Sequence, residues 1–337
     1  MSAPILGKMQ IGKETAHGTA VAATKMLFAT QGPIPSDRKV TALSPDIGKN
    51  VETTGRMLQG VLAQDSLTFD QLYFGILPTL LSGLLKGGVT PVEQTVGEGD
   101  YLWDHTPGLG DTDDNTPNSF TLERGDNIQA VQIAHVMFKS LKLDWQVNQD
   151  GGESSVKASV DYFGKANVNH AFTAGLSVPT FIPLNGKLCQ VYFDTLMADV
   201  GDTEISDFLR SGSLEISGGL VPDFNGGASE EFTSFHQGPI SAMLTLTVKR
   251  GAASEAMRAA INETRACRLK FNGPQIGDGV NNMLQFDLFG YVDDVVPLAQ
   301  TDRNKSANLD TMVLHSIYDP ISGKVIVPQI ITDIATL

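Results

Sequence analysis

Strict alternation of apolar and polar residues, renewed in run after run, restricts this chain more than any other feature. In SLKLDWQV, Leu141, Leu143, Trp145 and Val147 alternate with Ser140, Lys142, Asp144 and Gln146. In SVKASVDY, Val156, Ala158, Val160 and Tyr162 alternate with Ser155, Lys157, Ser159 and Asp161. Successive strand residues point to opposite faces, so this period of two describes antiparallel strands with one dry and one wet face. QDGGE at 149–153, between the two runs, predicts a Gly-rich hairpin loop. The second half keeps the habit. Ile240, Ala242, Leu244, Leu246 and Val248 share one side of a run, and Leu284, Phe286, Leu288 and Val292 one side of another.

The order of elements also recurs. TKMLFATQGPIP (24–35) sets Leu27, Thr30, Gly32, Ile34 and Pro35 opposite Leu214, Ser217, Gly219, Val221 and Pro222 of SGSLEISGGLVP (211–222). Each segment is followed by a polar loop, a Gln-Gly step (Gln59-Gly60, Gln237-Gly238), an extended run, a helix and at least three strands. A period of about 185 residues far exceeds the roughly 20–50 of solenoid repeats, so duplication of a whole domain is expected. The length of 337 residues agrees, because single cores stop growing at roughly 250–300 residues. The reading is α+β, mainly β. It places an N-terminal arm at 1–22, a first β-sandwich or barrel domain at 23–168, a linker at 169–186 and a second such domain at 187–337, each domain with one flanking helix.

The helices break the alternation. SEAMRAAINE offers Ser254 as N-cap and Glu255 in the first turn, with Met257, Ala260, Ile261 and Thr264 on one face. FDQLYFGILPTLLSGLL aligns Leu72, Leu80 and Leu84, with Pro78 expected to kink or divide it. Polar stretches at 36–56, 104–118 and 221–237 read as long loops, whose natural use in an assembly is to order against a neighbouring subunit.

Charge and motifs exclude several functions. With 24 basic and 38 acidic residues the chain carries −14, which excludes a protein that grips phosphate backbones by neutralising them. Cys189 and Cys267 are too few for a disulfide framework and read as small buried apolar residues of a protein folded in a reducing cytoplasm. The opening MSAPILGKMQIGKE lacks the apolar core of an export signal, and FGILPTLLSGLL is too short to span a membrane. His17, His105, His135, His170, His236 and His315 are scattered, without HExxH, G-x-S-x-G, Walker-A or G-x-G-x-x-G signatures. No catalytic, metal or cofactor-binding residue is assigned, and no cofactor is expected. Asp111, Asp113, Asp114 and Asn115 faintly resemble a calcium loop but lack its central Gly and terminal Glu, so a solvated loop is favoured. Asp293 and Asp294, adjacent on a strand, point to opposite faces. Two other classes stay open: a β-sandwich surface binding or adhesion module, and a cytosolic enzyme whose site is dispersed along the chain.

The opening MQIGKETAHGTAVAATKMLFAT resembles the N-terminal signature of tail tube proteins of long, non-contractile tailed bacteriophages. The matching residues are Gly12, Lys13, Glu14 and Thr15, then Gly18, Thr19, Ala20, Val21 and Ala22. Ser119-Phe120-Thr121, Ser140-Leu141 with Leu143, and Phe163-Gly164-Lys165 are similar to the family's middle strands, and SGSLEIS at 211–217 to the strand opening its second repeat. Met137 and Phe138 depart from the Cys or Gly that often precedes the Ser-Leu strand in relatives.

The resemblance implies a structural virion protein, made in the host cytoplasm, that polymerises into stacked rings around a channel for DNA ejection. Its implied partners are further copies of itself, the tape-measure, tail-tip and tail-terminator proteins, and DNA that passes without specific binding. Two tube-like domains per chain favour a trimeric ring with pseudo-sixfold symmetry over a hexamer. One-face-wet strands suit a tube wall, and net −14 suits an acidic lining that repels phosphate within about 8 Å. Asp144, Asp161, Glu215 and Asp287 are the candidate lumen-facing residues, with Lys142 and Lys157 on the same faces as softening or cross-strand partners. Lys49, Glu52, Arg56, Glu230 and Glu231 are the candidates for contacts between rings.

Overall fold

Alternating burial along strands such as Ser241–Lys249 and Ile326–Thr332 builds much of the molecule, as the sequence pattern requires. The computed structural model describes residues 6–30, 32–34, 37–43, 55–110, 113–147, 154–226, 229–300 and 308–337. Among these the fold is α+β and mainly β, with two α-helices, Leu77–Leu84 and Ala252–Ala259. One antiparallel sheet runs in the order Ala63–Phe69, Lys157–Gly164, Ala130–Gln146, Leu209–Ser217, Ser241–Lys249, Asn308–Ser316 and Asn281–Gln300. The tip at 149–153 lies outside the described residues.

Two strands are too long for that sheet alone, and both leave it at their N-terminal ends. The start of Ala130–Gln146 pairs with Phe120–Gly125 on one edge and Asn167–Asn169 on the other. The start of Asn281–Gln300 likewise pairs with Thr264–Gln275 and Ile326–Thr332. Outside them, Lys8–Lys13 pairs with Phe120–Gly125, and Cys189–Asp194 with Thr264–Gln275. The same set of pairings therefore occurs twice, in the same chain order. A bulge marks each long strand at the corresponding place, beside Lys139 in one and Asp293 in the other.

Register corrects the letter match. Thr30 bridges to Thr68, and Ser211 pairs with Thr247. Counting from the two bulges, Ser66 and Thr245 occupy equivalent places, each opposite the second strand of its set. Thr30 therefore corresponds to Ser211 rather than to Ser217. The shared Gly and Pro letters reflect generic turn chemistry, not equivalent positions.

Other boundaries move for similar local reasons. Pro78 does not kink a helix; it sits in the first turn, after a 3₁₀ turn at Phe74–Ile76, where its missing N–H costs nothing. The second helix starts earlier than Ser254, whose Oγ accepts from the Gly251 N–H at 2.9 Å, and it ends before the exposed Ile261. The loops at 36–56 and 221–237 contain hairpins: Arg38–Leu43 with Gly55–Val61, and Leu220–Asp223 with Ser234–Gln237. Lys8–Lys13, within the stretch read as an arm, is a largely buried sheet strand. The linker stretch is tied down as well: Thr173 bonds Glu123 through both its N–H and its hydroxyl, and Ile182 accepts from the Phe74 N–H.

The main hydrophobic cluster crosses between the halves, joining Leu67, Phe138 and Trp145 to Leu214, Leu246, Phe286 and Leu314. Leu77–Leu84 is buried at every residue within it. Cys189 and Cys267 are buried free thiols, and burial raises the pKa of both.

Candidate functional site: the hydroxyl-rich sheet face

The wet side of the main sheet is a continuous surface supplied by both halves. Register places Ser66 opposite Asp161, Asp161 opposite Ser140, Lys142 opposite both Ser159 and Glu215, and Asp144 opposite both Lys157 and Ser213. The same row continues through Thr245 and Val313. The seam between the halves is the antiparallel pair Ser140–Gln146 with Ser211–Ser217, closed at its ends by Val147 N–H to Arg210 O at 2.7 Å and Gly218 N–H to Lys139 O at 3.0 Å. Wet faces of the two halves therefore share one plane of pairing rather than opposing each other.

Hydroxyls dominate that face. Ser66, Thr68, Ser140, Ser159, Ser211, Ser213, Ser217, Ser241, Thr245, Thr247 and Thr311 all lie on it. β-Branched threonine suits a pleated surface, and serine hydrates it without fixed charge. A shallow depression of about 390 Å³ straddles the seam, lined by Asp144, Gln146, Lys157, Ser211, Ser213, Thr245 and Thr247. At its floor Gly212 lies against Trp145, where an added Cβ would stand 2.2 Å from the indole. Only glycine fits there, which fixes the approach of the two halves at their seam.

The candidate lumen residues divide. Asp144, Asp161 and Glu215 are exposed on this one face. Asp144 lies 3.3 Å from Lys142 Nζ, and Asp161 accepts from the hydroxyls of Ser66 and Ser140. Asp287 is a correction: only 6% exposed, it holds Arg268 through two bonds of 2.7 and 2.8 Å and accepts from Gln285. Its strand side is covered by the turn at Gly201, which itself packs on Arg268. The expected acidic lining also changes. Around the seam Asp144, Asp161 and Glu215 are interleaved with Lys142 and Lys157, and at the far end of the sheet Asp294 stands opposite Val313 and Asp293 lies 3.5 Å from His315, so the face is mixed in charge rather than uniformly acidic. Like charges on neighbouring strands repel, and interleaved lysines relieve that cost.

The candidates for contacts between rings also separate. Lys49 and Glu52 lie outside the described residues. Arg56 is exposed on Gly55–Val61, opposite Ala42. Glu230 is exposed, while its carbonyl accepts from the Val61 N–H at 2.8 Å. Glu231 is not a free carboxylate: its Oε1 accepts from the Ala166 N–H at 3.1 Å.

Two buried polar centres escaped the sequence reading. Glu14, 6% exposed, accepts from the Gly18 and His135 N–H groups and from the Ser119 and Thr121 hydroxyls, at 2.6 to 3.0 Å. Gly12 packs on the Ala22 carbonyl and Gly18 adopts a left-handed φ of 76°, so the Gly-Lys-Glu-Thr and Gly-Thr-Ala segments form a self-bonded clasp. His135, at φ 56°, lies against Phe232 of the second half, and burial lowers its pKa to about 4. Arg124, fully buried, donates to Asp65 at 2.6 Å, to Tyr162 at 2.8 Å and to the Gly32 carbonyl at 2.9 Å. Each draws its partners from segments far apart in sequence, so no local motif announces it.

Neither centre has the geometry of a reaction site. Glu14 spends its oxygens on structural donors, and Arg124 ties a turn to a sheet. In the acidic loop, Asp113 accepts from the Gly110 N–H, Asp114 from Thr116 and Asn115 from Gly108. Among the described residues no group of three or more His, Cys, Asp or Glu side chains could hold a metal ion, and no helix is long and apolar enough to cross a membrane. No protein-family model matches the chain, and no curated protein sequence matches it.

Proposed function

We propose that this protein is the structural subunit of a hollow tail tube of a long, non-contractile tailed bacteriophage, polymerising into stacked rings through which DNA is ejected. The observation that carries the reading is the single wet sheet face, continuous across the seam between two similarly paired halves. A tube wall needs such a surface: a dry side sealed by core and helices, and a hydrated side that holds nothing. Serine and threonine hydroxyls keep water at the wall, and lysines interleaved with carboxylates leave no continuous cationic track for phosphate. DNA passes such a surface without being gripped.

Each chain contributes two tandem tube-like domains on this reading, so three chains complete a pseudo-sixfold ring. The hairpins that carry Arg56 and Glu230 reach toward the neighbouring ring. Tape-measure, tail-tip and terminator proteins are the further partners, and the virion tail is the location. Negative-stain electron microscopy of the purified protein tests this: rings or hollow filaments with a threefold or sixfold repeat are the expected result. A protein that stays monomeric at high concentration, alone and with tail-tip components added, would sink the proposal.

A further inference from the structure

The side chain of Gln10 is fully buried, and neither its amide nitrogen nor its oxygen has a hydrogen-bond partner. A carboxamide held dry with no bond at all is costly, so it calls for a reason. Its strand, Lys8–Lys13, turns Met9 and Ile11 into the main core. By alternation Lys8, Gln10 and Gly12 face the other way. The stretch joining the two halves crosses that outer face. Lys8 Nζ lies 5.1 Å from the centroid of the Phe172 ring, and at the other end a Cβ on Gly12 would meet Ala22 and Ala23.

Thr173 is tied to both flanks of this strand. It accepts from the Ala23 N–H at 3.1 Å, and it donates its N–H and its hydroxyl to the two oxygens of Glu123, each at 2.7 Å. Glu123, only 1% exposed, is the direct cross-strand partner of Gln10. These bonds set Thr173 above Gln10. His170 Nδ1 stands 4.0 Å from the same carboxylate and also lines a surface hollow of about 730 Å³. A hydroxyl bonded to a buried carboxylate is an activated nucleophile, and the fold holds a carboxamide, an electrophile, beside it.

We propose that Thr173 and Gln10 become joined by an ester, which fastens the N-terminal strand covalently to the stretch between the two halves. Glu123 takes the hydroxyl proton as Thr173 Oγ1 forms a bond to Gln10 Cδ. The tetrahedral adduct then collapses: the Cδ–Nε2 bond breaks, the nitrogen takes the proton from Glu123 and leaves as ammonia. No oxidant, metal or second substrate enters, and the carboxylate returns unchanged. Glu123 is the general base and then the general acid of this step. The inference stands on this cluster alone and does not depend on ring formation. It also accounts for the orphaned carboxamide, which is the group consumed.

Whole-chain mass spectrometry of the denatured, unaltered protein tests it. The expected mass lies one ammonia below that of its sequence. Trypsin should leave 9–13 joined to 166–187, and neutral hydroxylamine, which cleaves esters and spares ordinary amides, should separate them. Thr173→Ser should lose ammonia as the unaltered chain does, while Thr173→Val and Glu123→Ala should keep the full mass of their sequences. Circular dichroism establishes that each variant is folded; where one is not, the peptides of the unaltered chain still decide. A folded, unaltered protein at full mass, with 9–13 and 166–187 separate, overturns the proposal. So does an ammonia loss confined to one peptide, as succinimide formation at an asparagine gives, or a joined pair that persists in Thr173→Val.

Discussion

The two helices occupy the same step in the order of elements, yet they live in different surroundings. Leu77–Leu84 reads LPTLLSGL, has no charged residue and is buried along its whole length. Ala252–Ala259 reads AASEAMRA and buries Ala253, Ser254 and Met257 while Glu255, Ala256 and Ala259 stay exposed. A helix apolar on every side belongs in an interior, and an amphipathic one on a surface. The first is enclosed because later parts of the chain return to cover it. Trp103 stacks on His105 and donates its N–H to Ile334 O at 2.8 Å, and Asn118 donates its N–H to the Ser82 carbonyl. Similar pairing order thus does not bring similar burial, and the first half carries more of the shared core.

Breaking the buried helix should have the largest effect. Leu81→Asp sets a carboxylate in a dry site and should leave no folded protein in the soluble fraction, whereas Ala256→Asp on the other helix should shift stability by no more than about 0.5 kcal/mol. Denaturant titration of both variants checks the contrast. Arg124→Met should cost about 3–5 kcal/mol, because Asp65 keeps its charge without its partner. Arg124→Lys should recover only part, since one ammonium cannot reach Asp65, Tyr162 and the Gly32 carbonyl together.

A smaller effect is expected at Gly83, where an added Cβ would approach the rings of Phe138 and Phe120 to 2.6 and 2.8 Å. Gly83→Ala should cost about 1–3 kcal/mol through overpacking, and Phe138→Leu in the same chain should return part of it.

Acid should sharpen the comparison in a graded way. Burial lowers the pKa of both His105 and His135 to about 4, below the ordinary 6.5 of histidine, so the folded state binds fewer protons than the unfolded one. Their contribution to stability is complete above pH 6.5 and is lost as pH falls from there through 4. Melting temperature should fall across that window, and His135→Asn, which keeps the left-handed backbone accessible but cannot titrate, should flatten the fall. An unchanged slope would remove His135 from the account.

Much of the sheet was legible because alternation is a local property: Leu141, Leu143 and Trp145 are buried and Lys142, Asp144 and Gln146 exposed, as a period of two demands. The repeat is legible as an order of elements and not as a match of letters, since Gly and Pro mark turns wherever turns occur. Alternation puts Asp287 on a wet side because it reports only which side a residue faces. That side is here covered by Arg268 and the turn at Gly201, which lie far along the chain. Glu14 and Arg124 were invisible for the same reason. The hydroxyl face is half legible: alternation gives Ser140, Ser159 and the acids beside them, while the pairing that sets them in one plane with Ser66, Ser213, Thr245 and Thr311 is long-range.

The two long strands also have a mechanical meaning. Ala130–Gln146, with 17 residues, spans roughly 55 Å at about 3.3 Å per residue. One end lies among the outer pairings and the other forms part of the wet face. Tension applied along such a strand is borne by covalent bonds first, and the hydrogen-bond ladders on either side resist it in shear, many bonds at once. Because Asn281–Gln300 repeats this arrangement, each chain carries two load paths of the same kind, and a wall made of them would stretch as a unit before any one sheet opened.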